Sequence, residues 1–392
     1  MKAFFHDSEM KMRTLGFAFV IAGALFFSLV FPLRAWAQAF DHSKVGIEFE
    51  YEATRNSSRN DTRNHEALLG FLQREFGGKK IVTRPWEKFV NARGTFQAEF
   101  KDALGRTWAV VPEKMNGESF DGFELITPPL TTEEDVKRLG RAVDAIHASG
   151  LFTRGYSSST HYNYDVSHLT GNLRDADIER RNVASLVDVI LFLETHVVQI
   201  LEIVRPERYD HVVNKFAVPL AVNQKDLLRE LAELPRERRT FGAVRSIFQK
   251  YEKLEIELVN GNKVHAWKFR AFNYAKLLGI GEFKGWNLPI IESRLADLVE
   301  NSAKLEELGR LFSRSIAVGA ATPMTQFRDP FPQFNEFYEH SRGHAALDEY
   351  IRGTHPDRVS KFRARIGLDA VSTGSRGFSG GRCEALFIPK AG

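Results

Sequence analysis

Cysteine is nearly missing from this chain. Cys383 is the only one in 392 residues, so no intrachain disulfide can form, and a lone thiol near a Gly-rich end is a poor candidate for nucleophilic catalysis. An excess of one charge is also missing. Lys and Arg number 54 against 50 Asp and Glu, for a formal net charge of +4. With no long basic run, this argues against a nucleic-acid partner even though the pI is near 9.0. No second apolar run of spanning length follows the one at the N-terminus. There is no internal repeat, no Gly-x-Ser-x-Gly elbow and no Gly-Lys-Ser/Thr phosphate loop. Gly374-Ser375-Arg376-Gly377 belongs to a Gly- and Ser-rich tail, Ser372–Arg382. His340 and His344 have a spacing that can bind metal on a helix, but no Glu follows His340, so the zinc-protease motif is absent.

Residues 1–37 have the pattern of an export signal. Lys11 and Arg13 precede an apolar run from Leu15 to Leu33, and Ala35-Trp36-Ala37 places small residues where a signal peptidase reads. Cleavage there leaves Gln38 first and a net charge of about +2 by the same formal count. The expected location is therefore periplasmic or secreted. The alternative is an uncleaved membrane anchor, because the run is long enough to span a bilayer. The remaining chain divides into a catalytic-type region over 38–322 and an irregular extension over 323–392, where prolines become frequent.

Val45-Gly46-Ile47-Glu48-Phe49-Glu50-Tyr51-Glu52 alternates strictly. A strand there puts Val45, Ile47, Phe49 and Tyr51 on one face and Glu48, Glu50 and Glu52 on the other. Glu is a poor strand former, and carboxylates in one row about 7 Å apart repel. Solvent, Arg and Lys neighbours, or a divalent cation held by oxygen ligands would each offset that repulsion.

Further strands are expected over Gly94–Phe100 and Arg106–Val111 as a hairpin, then Phe120–Pro129, Ser157–Asp165, a hairpin about Asn260-Gly261-Asn262, and Asn287–Leu295. Helices are expected over His65–Phe76, after a capping box of Thr131 and Glu134, and as one long buried helix over Asp175–Val204. Others are expected over Lys225–Leu234, Thr240–Lys253 and Ala296–Phe312. Alternating strands with helical insertions argue for an α+β fold with an antiparallel sheet that has one polar face. That face would carry Glu48, Glu50, Glu52, Glu124, His161, Asn163, Asp165, Lys268, Arg270, Glu292 and Arg294. Mixed anionic and cationic rows suit a magnesium-bound polyphosphate, with carboxylates on the metal and arginines on phosphate oxygens. Structural readings remain open for each. Glu50 and Glu124 would be surface or edge residues, His161 a satisfied core histidine, and Arg270 and Arg294 ion-pair partners of the glutamates.

Taken in order, VGIEFEYE, FELITPP, THYNYD, KFRAFNYAKLL and PIIESRL, spread over Lys44–Leu311, resemble the amidoligase family. That family comprises carboxylate–amine ligases sharing the glutamine synthetase catalytic fold, alongside glutamate–cysteine ligases. The resemblance implies a curved antiparallel sheet that binds ATP and Mg2+, and activation of a small-molecule or peptide carboxylate as an acyl phosphate, which an amine attacks. It implies metal roles for Glu48, Glu50, Glu124 and Glu292, and a metal or catalytic role for His161. Glu48, Glu50, Asn163 and Arg294 would contact the nucleotide, and Arg270 and Arg294 phosphate or substrate. Asn163 stands where the family often has a second histidine, and Ser293 where it usually has Phe. Export also sits badly with ATP chemistry. Two alternatives follow: an exported protein of this fold that binds a metal or amine without ATP, or a metal-dependent amide hydrolase.

Overall fold

The computed structural model describes residues 44–53, 62–85, 96–113, 122–153, 158–204, 217–251, 255–257, 263–265, 267, 270–331 and 356–368. The export-type segment, His340, His344, Cys383, Lys268 and the Gly/Ser tail lie outside them.

The architecture is α+β. The strands are β1 (Val45–Ala53), β2 (Val82–Pro85), β3 (Phe96–Lys101), β4 (Thr107–Glu113), β5 (Gly122–Ile126), β6 (Phe152–Thr153), β7 (Ser159–Asp165), β8 (Glu255–Glu257), β9 (Lys263–His265), β10 (Phe272–Asn273) and β11 (Ile290–Asp297). Nine of them form an open sheet in the order β10-β11-β7-β1-β5-β4-β3-β2, with β6 also paired to β1. Every pairing in it is antiparallel. β8 and β9 pair separately, and the Asn-Gly turn expected between them lies outside the described residues.

β1 lies near the middle of the sheet, between β5 and β7. Its apolar row Val45, Ile47, Phe49 and Tyr51 is buried, joined by Phe123 and Leu125 of β5, Tyr162 and Tyr164 of β7, and Trp108 of β4. Burying aliphatic or Phe side chains of this kind contributes roughly 1.5–3 kcal/mol each.

The helices are α1 (Thr62–Phe76), α2 (Glu133–Ala148), α3 (Ala184–Thr195), α4 (Val197–Val204), α5 (Lys225–Glu233), α6 (Phe241–Lys250), α7 (Ser302–Ala321) and α8 (Pro356–Arg365), which share one hydrophobic core with that face. Tyr162 and Tyr164 of β7 donate their hydroxyls to the carbonyls of Leu305 and Gly309, at 3.3 and 3.0 Å, which fixes α7 beneath the strand. Among the described residues, no helix is long and apolar enough to cross a membrane.

Several boundaries differ from the sequence reading. The cap of α2 is Thr132, not Thr131: its hydroxyl accepts from the Asp135 amide at 3.0 Å. Arg106 clamps the Asp135 carboxylate with two bonds, at 2.7 and 3.0 Å, and so anchors the start of β4 to the helix. The expected helix over 175–204 is divided. It begins as a short 3-10 turn at Ile178–Arg180, resumes as α3, and breaks at His196, whose amide and ring Nδ1 both bond the Phe192 carbonyl. β11 runs on to Asp297, and α7 starts only after Asn301, whose side chain accepts from the Lys304 amide.

Residues beyond 322 join the same core. Phe331, Phe362 and Ile366 are buried in it, and Lys225 bonds the Phe331 carbonyl at 2.7 Å and pairs with Asp329 at 2.6 Å.

Candidate metal centre on the polar face of the sheet

The opposite face of β1, β5, β7 and β11 gathers the polar groups, because period-two alternation that buries Phe49 and Tyr162 must turn their neighbours the other way. Register decides which of them meet. Glu50 lies opposite Glu124 on β5 and opposite Ser159 on β7, and Glu48 lies opposite His161. Asn163 lies opposite Glu292 on β11, which in turn faces Asn273 on β10.

His161, 2% exposed, is the hub. Its Nδ1 lies 3.5 Å from Glu48 Oε2, 3.7 Å from Glu50 Oε1 and 3.7 Å from Glu292 Oε1, and makes no hydrogen bond. Its Nε2 contacts Ser159 Oγ at 2.9 Å. Ser159 has one hydroxyl hydrogen and donates it to Glu50 Oε2, so Oγ must accept from Nε2–H. In the neutral ring Nδ1 is then a bare lone pair facing three carboxylate oxygens. That position calls for positive charge, either a ring proton or a cation between nitrogen and oxygens. Asn163 donates to Glu48 Oε1 at 3.1 Å, and its own Oδ1 is buried without a partner.

Two overlapping ligand sets result, Glu48 with His161 and Glu292, and Glu50 with Glu124 and His161; within each, one donor atom per residue lies within 4.8 Å of the others. Carboxylate oxygens with one imidazole nitrogen suit a divalent cation. The Glu48 and Glu50 side chains remain 20% and 17% exposed, so the centre is reachable from solvent.

Glu292 is 1% exposed and held by three donors: Arg294 at 2.8 Å, Lys276 at 3.0 Å and Asn273 at 3.0 Å. Burial raises its carboxyl, but Arg294 and Lys276 outweigh this and hold it well below the usual carboxylate range. Burial likewise raises Glu48, and the His161 ring and Lys276 bring it back below its ordinary value. Burial lowers Lys276, and Glu292 and Glu48 more than restore it.

The sheet thus brings together Glu48, Glu50, Glu124, His161, Asn163, Glu292 and Arg294. It does not bring Arg270 to them. Arg270 shares its strand parity with Phe272, on the core side, and is 1% exposed. Among the described residues the fully buried Glu194 is a charged neighbour, and the Arg270 guanidinium sits 5.8 Å from the Trp267 ring. Asp165 is also diverted, accepting from the Ser167 amide at 2.8 Å. Asp188 is fully buried and paired with Arg236 and Arg239.

Ser159, Asn273 and Lys276 were not legible as site residues. Lys276 follows the strand on a helical turn, Ala275–Leu278, so period-two reading misses it. The sequence matches no protein-family profile, and no curated protein is similar to it.

Proposed function

We propose that this face is the active site of an ATP-dependent carboxylate–amine ligase with the glutamine synthetase-like catalytic fold. The observation that carries the proposal is the buried His161 Nδ1 facing Glu48, Glu50 and Glu292, a position suited to a divalent cation. The open antiparallel sheet and the ordered segments from VGIEFEYE to PIIESRL agree with it.

Glu48, Glu50, Glu124, Glu292 and His161 would hold Mg2+, which neutralises phosphate oxygens when bound. Arg294, whose guanidinium bonds Glu292 at 2.8 Å, and Lys276 would supply positive charge at the same place. Phosphoryl transfer needs mainly positioning and charge neutralisation, which the carboxylates on paired strands and these two cations would supply. The substrate carboxylate would displace ADP to give an acyl phosphate, and an amine would then displace inorganic phosphate to give the amide.

Thermal unfolding with and without magnesium ATP tests this. A ligand at 100 times its Kd stabilises by about 2.7 kcal/mol, and the shift should vanish in Glu50→Ala. No shift in a folded protein would contradict it. That result would favour a cation- or amine-binding protein, or a metal-dependent amide hydrolase, on the same face, as the export-type segment at 1–37 suggests.

A further inference from the structure

A ladder of side chains runs from the carboxylate cluster to the surface. Lys276 Nζ, bonded to Glu292 at 3.0 Å, lies 5.8 Å from the Phe283 ring centroid. The Phe283 ring meets Trp286 edge-on, with centroids 5.3 Å apart and planes at 79°. Trp286 is 52% exposed, whereas Phe283 beneath it is 9% exposed.

The segment that carries the indole is held in place from within. Trp286 donates its amide to the Phe283 carbonyl at 2.9 Å, and Leu288 donates to Lys276 at 2.9 Å, which closes the loop back onto the residue that touches Glu292. Asn287 adopts a left-handed backbone, φ 44°, with Oδ1 turned toward Gly279 so closely that a Cβ on Gly279 would meet it at 2.3 Å. A backbone held in this way before binding lowers the ordering cost of presenting the indole to a ligand ring.

We propose that Trp286 is the platform on which the base of the nucleotide stacks, while Lys276 and Arg294 meet its phosphates. The inference rests on the ligase reading and adds to it a residue that selects a nucleoside triphosphate over a bare polyphosphate. An anionic group and a flat aromatic ring on one ligand are what the Lys276–Phe283–Trp286 ladder is arranged to receive, since every base presents a π-face to an aromatic side chain.

The test is titration calorimetry of magnesium ATP and of magnesium tripolyphosphate against the full chain, its Trp286→Ala variant and its Trp286→Phe variant, with indole emission followed in parallel. Trp286→Ala should weaken ATP by about five- to a hundredfold and leave tripolyphosphate unchanged. Trp286→Phe should keep most of the affinity but lose the ATP-induced change in emission. Equal weakening of both ligands, or of neither, overturns the inference, as does an emission change that survives in Trp286→Phe. If Trp286→Ala does not fold, the Trp286→Phe emission result decides. A wild-type chain that binds tripolyphosphate as tightly as ATP removes Trp286 from the site and leaves the phosphate site standing. A chain that binds neither overturns the ligase reading, and this inference with it.

Discussion

His161 Nδ1 and Glu48 Oε2 stand 3.5 Å apart on residues directly opposite each other across the β1–β7 ladder. The separation is too long for a hydrogen bond and short enough to share one cation. Neither atom can easily turn away. The imidazole is fixed through Nε2 by Ser159, and Glu48 is held through its other oxygen by Asn163. Partners that orient ligands in this way are characteristic of metal sites.

Arg270 lies on the core side of the sheet, beside the buried Glu194. Arg270→Met should destabilise the fold on the order of 3–5 kcal/mol, because it leaves Glu194 buried without its countercharge. The cost should depend on pH. Burial pushes the Glu194 carboxyl up to about 7 from 4.5, so its favourable contribution is complete below about pH 4.5 and is lost as pH rises through 7. Removing Arg270 raises it further. Urea unfolding at pH 5 and pH 8 should therefore show the larger loss at pH 8; an equal loss at both would argue against a Glu194 contribution.

Ser293 occupies a core position opposite Tyr162 and Phe272, and its buried hydroxyl has no hydrogen-bond partner. An unsatisfied polar group of this kind costs about 1–3 kcal/mol. Ser293→Ala should leave the thermal midpoint unchanged or raise it. A clear fall would mean that the hydroxyl is satisfied in solution.

His196 joins α3 to α8, the last helix among the described residues. Its Nδ1 donates to the Phe192 carbonyl at 2.8 Å, which leaves Nε2 to accept from Arg365 at 3.1 Å. Burial lowers the imidazole to about 4 from 6.5. Its contribution is thus present above about pH 6.5 and is lost as pH falls through 4. The thermal midpoint of the wild type should drop more steeply than that of His196→Gln over this window, and parallel curves would contradict the assignment.

The sequence made the central strand and its faces plain, because Val45–Glu52 alternates without exception. It left the face of Arg270 undecided. In KFRAFNY the charged Lys268 and Arg270 share parity with Phe272 and Tyr274, so alternation points both ways, and only the Asn273–Glu292 register settles it. The strand order was not legible either, since β7, β1 and β11 are neighbours only through pairings distant in sequence. The break at His196 is not legible in the sequence because apolar residues continue on both sides of it. Ser159 carries no signal of its own; its role comes from sitting opposite Glu50.

The most direct measurement is calorimetric titration of Mn2+ and Mg2+ into the wild-type chain and into His161→Ala, with circular dichroism to verify folding. The wild type should bind both ions, and Mn2+ more tightly, because Nδ1 adds a nitrogen ligand to an otherwise oxygen set. His161→Ala should lose affinity for Mn2+ by at least roughly ten- to a hundredfold, the loss seen even for partners that only orient ligands, and with it the preference over Mg2+. A folded wild-type chain that binds neither ion, or a His161→Ala variant that binds both unchanged, would contradict a metal centre on this face.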